Sequence, residues 1–152
     1  MMILVCTLIV LSIFFSDYFI KKKIETAKNL PRSLCKGRVY IQKYHNKGAF
    51  WNLGEKYPKI VMWISLLMTG VIFILLLLSF GKKGNGLLRV GLATVLGGAF
   101  SNTYDRLRKN YVVDYLSFQV KWKRLANTVF NISDFFIMAG AMMSCLAQLQ
   151  MK

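Results

Sequence analysis

A chain of 152 residues, 55% of them hydrophobic, can bury one core or fill one membrane bundle and is too short for two domains. Its formal net charge of +15 lies between long apolar blocks rather than inside them, so it reads as attraction to anionic lipid head groups, and nucleic-acid binding is set aside. One histidine, His45, and three scattered cysteines, Cys6, Cys35 and Cys145, support neither a disulfide framework, a histidine triad nor a metal site, and no cofactor is expected.

The first apolar block, Met1 to Ile20, is broken only by Asp17. It lacks a basic start and a small-x-small cleavage site before Lys21, so it reads as a retained helix. Asp17 and Lys21 form an i, i+4 acid–base pair near its end, read either as a helix-end ion pair with a snorkelling lysine or as a carboxylate kept charged. Lys21 to Lys59 is a polar, basic connection. Within it Arg38–Tyr44 is rich in β-branched and aromatic residues and predicts a strand, and Asn46-Lys47-Gly48 predicts a turn, Asn and Gly being able to take positive φ. Phe50, Trp51 and Tyr57 suit an interfacial aromatic belt, and a small sheet on the membrane surface is expected.

Pro58 opens a second helix, and Ile60–Phe80 runs 21 residues without a charge, where roughly 20 suffice to cross the hydrocarbon. The glycine-rich turn Gly81–Gly86 sends a third block, Leu87–Tyr104, back antiparallel. A fourth, Val129–Leu149, holds only Asp134 as an internal charge. Small residues at spacing four, Ala93 with Gly97, Thr94 with Gly98 and Gly140 with Ser144, read as close helix packing. Cys6 and Cys145 fall within spans and read as buried. The expected fold is an all-α membrane protein: one domain over 1–152, a four-transmembrane-helix bundle with spans near 1–20, 59–80, 87–105 and 129–149. A small β-sheet belongs to the loops at 21–58 and 106–128.

Four spans bring the end of the first helix, the end of the third and the start of the fourth to one face. Asp17, Asp105, Asp114, Asp134 and the loop carrying Asn46 and Gly48 therefore converge there. Two of these carboxylates close an Asn-x-x-Asp pattern, Asn102–Asp105 and Asn131–Asp134, which stacks an amide and a carboxylate one helical turn apart. Asp105 is followed by Arg106, Arg108 and Lys109 and looks structural. Asp114 alternates with Val112, Leu116, Phe118, Val120 and Trp122 on one strand face, opposite Tyr115, Ser117, Gln119, Lys121 and Lys123. Asp134 is expected about five residues inside the fourth helix, roughly 7 Å deep. Two desolvated carboxylates on one face can share a proton, one acting as base on a water and the other donating to a peptide carbonyl. The alternative is that each merely finds a Lys or Arg across the bundle. Asn131 can hold a carboxylate or a substrate backbone.

These segments resemble lipoprotein signal peptidase (signal peptidase II), a membrane aspartyl peptidase family of bacteria, at GGAFSNTYDR, YVVDY, VFNISD, NKGAF and DYFIK. The resemblance spans nearly the whole chain in order. It implies a prolipoprotein signal peptidase that cuts before a diacylglyceryl-modified cysteine, in the bacterial inner membrane, with its catalytic face extracytoplasmic. Its partners would be diacylglyceryl prolipoproteins and membrane lipids, and a monomer is expected. By position Asp114 and Asp134 correspond to the catalytic pair. Asn46, Gly48, Asn102, Asp105, Arg106 and Asn131 match supporting or substrate-binding positions, and Asp17 with Lys21 the first-helix motif. Ser101 and Ser133 stand where glycine and alanine are usual, Tyr18 where glutamine is common, and Trp51-Asn52 departs from the usual loop. Ser133 places a hydroxyl next to Asp134 that could lower its pKa.

Lysine and arginine counts oppose the implied orientation. The 21–59 connection holds eleven and 106–124 six, against three in 82–89 and one in the tail. The positive-inside rule alone would put the large loops in the cytoplasm. A non-catalytic paralogue binding lipid-modified peptides or anionic lipid is the alternative function, and a proton-relaying transporter a third.

Overall fold

A computed structural model describes residues 1–49, 52–81, 84 and 86–150. Four long helices, α1 (Met2–Thr26), α2 (Pro58–Ser79), α3 (Gly86–Lys109) and α5 (Ile132–Gln150), carry a four-stranded antiparallel sheet at one end. The strands β1 (Arg32–Leu34), β2 (Val39–Asn46), β3 (Val112–Phe118) and β4 (Val129–Phe130) lie in that order, and a single turn of helix, α4 (Lys123–Ala126), precedes β4. Phe50 and Trp51, the Lys82, Lys83 and Asn85 portion of the glycine-rich turn, and the Lys123 and Arg124 side chains lie outside the described residues.

By length and composition three helices, α1, α2 and α5, are apolar enough to cross a membrane. Their outward faces are apolar side chains such as Leu8, Ile60, Trp63, Leu67 and Met142. The exception, α3, is central: it packs against each of α1, α2 and α5. Protein rather than lipid covers it, so Ser101, Asn102, Thr103 and Asp105 are buried there among polar partners.

Glycine lets the backbones meet. A Cβ on Gly91 would sit 2.9 Å from the Gly140 carbonyl oxygen, and one on Gly140 would sit 2.6 Å from that of Gly91, locking α3 to α5. Farther along α3 the spacing-four rows face different neighbours, since a Cβ on Gly97 would meet Ile13 of α1 and one on Gly98 the Ser133 carbonyl of α5. Cys6, Leu76, Ala93 and Leu96 form a core at one end; Ile24, Val113 and Tyr115 form another under the sheet.

Several boundaries differ from the sequence pattern. Helix α1 runs on to Thr26 instead of stopping at Ile20, because Ile24 finds an apolar partner in Val113 and Tyr115. Strand β3 ends at Phe118, short of Trp122, and both of its faces are covered, one by α1 and one by the cavity described below. Val129 and Phe130 are strand, paired to Ser117 and Leu116, so the last helix starts at Ile132. Cys145 is exposed, on the outer face of α5, whereas Cys6 is buried.

Candidate active site

The segment Asn131-Ile132-Ser133-Asp134 leaves the sheet and starts α5 with a reciprocal cap. The Asn131 Oδ1 accepts the Asp134 N–H at 3.1 Å, and the Asp134 Oδ2 accepts the Asn131 N–H at 2.9 Å. This is the capping-box arrangement, in which residues at the cap and three positions on satisfy each other's orphan donors. Asp134 therefore sits in the first turn of α5 rather than five residues deep, because the preceding two apolar residues are spent on β4.

Asp114 reaches the same place from β3. It pairs with Tyr44 just past an irregularity in the β2–β3 register, and Asn46, two residues on, turns its amide to it. Asn46 Nδ2 donates to Asp114 Oδ2 at 2.9 Å while the Gly48 N–H donates to Asn46 Oδ1 at 2.9 Å. Neither Asn46 nor Gly48 uses the positive φ open to it. Glycine is required for space instead: a Cβ at Gly48 would fall 2.5–2.8 Å from the backbone of Asn52. The Gly48 carbonyl in turn accepts from Arg106 Nη2 at 2.9 Å.

Two further asparagine contacts tie the carboxylates together. Asn131 Nδ2 donates to Asp114 Oδ1 at 2.7 Å, and Asn102 Nδ2 to Asp134 Oδ1 at 2.9 Å. Each of the four carboxylate oxygens thus accepts one N–H, and Asn131 serves both aspartates. Neither aspartate forms an ion pair with Lys or Arg among the described residues. Burial pushes the Asp114 carboxyl up to about 7, and the negative charge of Asp134 adds to it; the Asn46 and Asn131 hydrogen bonds and the Lys21 charge pull the other way. A carboxyl poised near neutrality can hold a proton or release it.

Both aspartates line a cavity of about 350 Å³ whose polar end also carries Asn46, Asn102, Arg106 and Asn131. Its walls are apolar: Ile64, Met68 and Ile72 from α2 face Ile137 and Met138 from α5, over Val95 and Ala99 of α3. Ile64, Met68 and Met138, which line it, are solvent-exposed, so the cavity is open on the side between α2 and α5. Among the described residues no three His, Cys, Asp or Glu side chains are grouped to hold a metal ion.

Residues 9–150 match the family model described as signal peptidase (SPase) II. The chain belongs to the signal peptidase II family. It is 29% identical over 140 residues to the lipoprotein signal peptidase of Halothermothrix orenii, covering 88% of each chain. It is 32% identical over 130 residues to that of Moorella thermoacetica, covering 86% of this chain and 80% of the relative. Its fold matches a bacterial membrane enzyme solved by the in meso method at 2.3 Å resolution, with a TM-score of 0.80 at 24% identity over 96% of this chain and 88% of that one. The relatives are bacterial, and the chain is a membrane protein of this peptidase family.

In this signal peptidase II chain the first-helix motif lies behind the aspartates rather than among them. Asp17 and Lys21 are 0% and 2% exposed and 2.7 Å apart, a buried pair and not a snorkelling one. Lys21 Nζ donates to Asn102 Oδ1 at 2.8 Å and lies 3.4 Å from Asp105, which also pairs with Lys109 at 2.9 Å. Asp105 accepts the Val113 N–H and so ties α3 to the strand of Asp114, a structural role. The Ser133 hydroxyl, expected beside Asp134, turns the other way: it donates to Asp17 Oδ2 at 2.6 Å, as does Ser101. A side chain adjacent in a helix points about 100° away, so sequence neighbours do not share a target.

Tyr115 completes this set, and sequence reasoning passed over it. Its hydroxyl donates to Asp17 Oδ1 at 3.0 Å and accepts the Ile132 N–H at 3.0 Å. Burial, reinforced by the Asp17 charge, raises its pKa and keeps the phenol a donor. The signal was present in the strand alternation, where Tyr115 heads the face opposite Asp114. Tyr18, the other departure, stacks on Phe14 and meets Tyr104 edge to face.

Proposed function

We propose that this chain is an intramembrane aspartyl endopeptidase that removes the signal peptide from diacylglyceryl-modified prolipoproteins, cutting before the lipidated cysteine. The observation that carries this reading is Asn131 bridging Asp114 and Asp134 at the polar end of a lateral apolar cavity. One carboxylate takes a proton from water as it attacks the scissile carbonyl, and the other, holding the shared proton, gives it to the carbonyl oxygen. A proton taken up by the first is then available for the leaving amine. Asn46, Asn102 and Asn131 hold the pair in register, and Arg106 fixes the Gly48 loop beside it.

The lipid-modified substrate would enter between α2 and α5, its acyl chains along Met68, Ile72, Ile137 and Met138 and its peptide at the aspartates. On this reading α1, α2, α3 and α5 all span the inner membrane as one domain, with the sheet on the extracytoplasmic face. Ser101 and Ser133, the positions that suggested an inactive paralogue, both bind Asp17 and touch neither candidate catalytic carboxylate, which favours the enzyme over the non-catalytic binder. Cleavage of a diacylglyceryl-cysteine peptide by purified protein tests the proposal. Asp114→Asn and Asp134→Asn are each expected to abolish product while leaving the bundle folded; near wild-type cleavage by either would refute the assignment.

A further inference from the structure

We propose that the free tip of the sheet is a docking surface for anionic phospholipid head groups. The register builds this tip from two stretches far apart in sequence. Leu34 pairs with Val39, Val39 pairs with Phe118, and the Gln119 N–H donates to the Arg38 carbonyl at 2.9 Å. The tight turn after β1, with positive φ at Cys35, Lys36 and Gly37, is thereby set beside the chain leaving β3.

Its composition is two-sided. Leu34, Val120 and Trp122 are 45%, 40% and 80% exposed, and Arg32, Lys36, Arg38 and Lys121 are exposed among them. None of the six carboxylates of the chain lies in residues 27–54 or 115–133, so nothing acidic in the local sequence neutralises the tip. The ion pairs of the described residues use Lys21, His45 and Lys109, all elsewhere.

The tip also stands at the right height. Phe118 packs on Phe130 and on Phe135, both at ring separations of 6.1 Å, and Phe135 belongs to the first turns of α5. Residues 119–122 therefore leave the sheet level with the start of a helix apolar enough to cross the membrane. That is the depth where indole rings and the stems of Lys and Arg bridge hydrocarbon and head groups. Guanidinium and ammonium groups supply donors to lipid phosphates, and Trp122, Val120 and Leu34 can lie against the upper acyl chains. An exposed tip that joins basic side chains to Trp122, Val120 and Leu34 at this level fits a bilayer already alongside it better than a folded acidic partner. This inference needs α5 to cross the bilayer and is independent of the two aspartates. It also gives the basic loops a ligand on the side of the site.

The test uses full-length protein in nanodiscs, with Trp51→Phe and Trp63→Phe leaving Trp122 as the only tryptophan. Discs of phosphatidylcholine are compared with discs that also hold phosphatidylglycerol, and Trp122 quenching by spin-labelled lipid of each type is measured. Preferential quenching by labelled phosphatidylglycerol, falling as salt screens the charges, is expected. Each of Lys36→Gln, Arg38→Gln and Lys121→Gln should lower that preference roughly fivefold, the equivalent of about 1 kcal/mol per basic residue near an anionic surface. Equal quenching by both lipids, insensitive to salt and to these variants, overturns the proposal. So does shielding of Trp122 that depends on protein concentration in lipid-free detergent, which would mark a contact between copies, or shielding that appears only on adding an acidic peptide.

Discussion

Replacing Asp114 with asparagine separates the cost of burying this carboxylate from its chemistry. Its carboxyl is pushed from 3.8 to about 7, and at about 1.4 kcal/mol per pKa unit that shift amounts to on the order of 4 kcal/mol. Between those two pH values the folded chain keeps a proton that the unfolded chain has released, so stability falls as pH rises from about 4 to about 7 and stays low above it. Asparagine at 114 does not ionise and escapes this loss. Its own amide hydrogens, however, face the Asn46 Nδ2, which Gly48 holds in place, and one hydrogen bond worth about 1 kcal/mol is forfeited. The Asp114→Asn chain should therefore be slightly less stable than wild type below about pH 4 and more stable by about 3 kcal/mol above about pH 8, while cutting nothing. Unfolding in detergent micelles across this pH range reads the difference directly. Parallel stability curves for the two proteins would mean that Asp114 is not a desolvated, near-neutral carboxyl, and the reasoning for a shared proton would fail with it.

Asn46→Ala removes a hydrogen bond that lowers the Asp114 pKa, so that carboxyl should hold its proton to a pH above about 7. The alkaline limb of kcat/KM is then expected to move to higher pH, and an unmoved limb would assign it to another group. Lys21→Met strands Asp17 in the interior and should cost about 3–5 kcal/mol by thermal unfolding, part of which Asp17→Asn in the same chain restores. Gly140→Val drives a Cβ to 2.6 Å from the Gly91 carbonyl and 2.7 Å from the Val95 N and should lower stability by at least about 1–3 kcal/mol. Gly70→Ala, with nothing within 4 Å, should hold or gain stability in the same assay.

Much of the bundle was legible because membrane helices announce themselves by length without charge, as Ile60–Phe80 does. The convergence of Asn46, Asn102, Asp114, Asn131 and Asp134 followed from counting crossings and from the family motifs. What stayed hidden depends on partners rather than pattern. Val129 and Phe130 are apolar in either a helix or a strand, and only their pairing with β3 decides, which moved Asp134 into the first turn of α5. Strand β1 and helix α4 are too short for a period to show. Ser133 was misread because its direction depends on where α1 lies, and Cys145 because the bundle leaves that face of α5 uncovered.

An asparagine beside a carboxylate is useful only if its nitrogen, not its oxygen, points at the charge, and the amide itself has little preference. Each of the three is fixed from behind by a group that can only donate. The Gly48 N–H holds the oxygen of Asn46, the Asp134 N–H holds that of Asn131, and Lys21 Nζ holds that of Asn102. Two of these donors are local backbone, but the third arrives from α1, 81 residues away. Lys21 keeps that position because Asp17 fixes its charge, and Asp17 is fixed by Ser101 from α3, Ser133 from α5 and Tyr115 from β3. Three elements, α3, α5 and β3, therefore meet both at Asp17 and at the paired aspartates, and α1 joins the second meeting through Lys21 on Asn102. A small displacement of any one would be felt as a turned amide at Asp134 before it was felt as a broken fold.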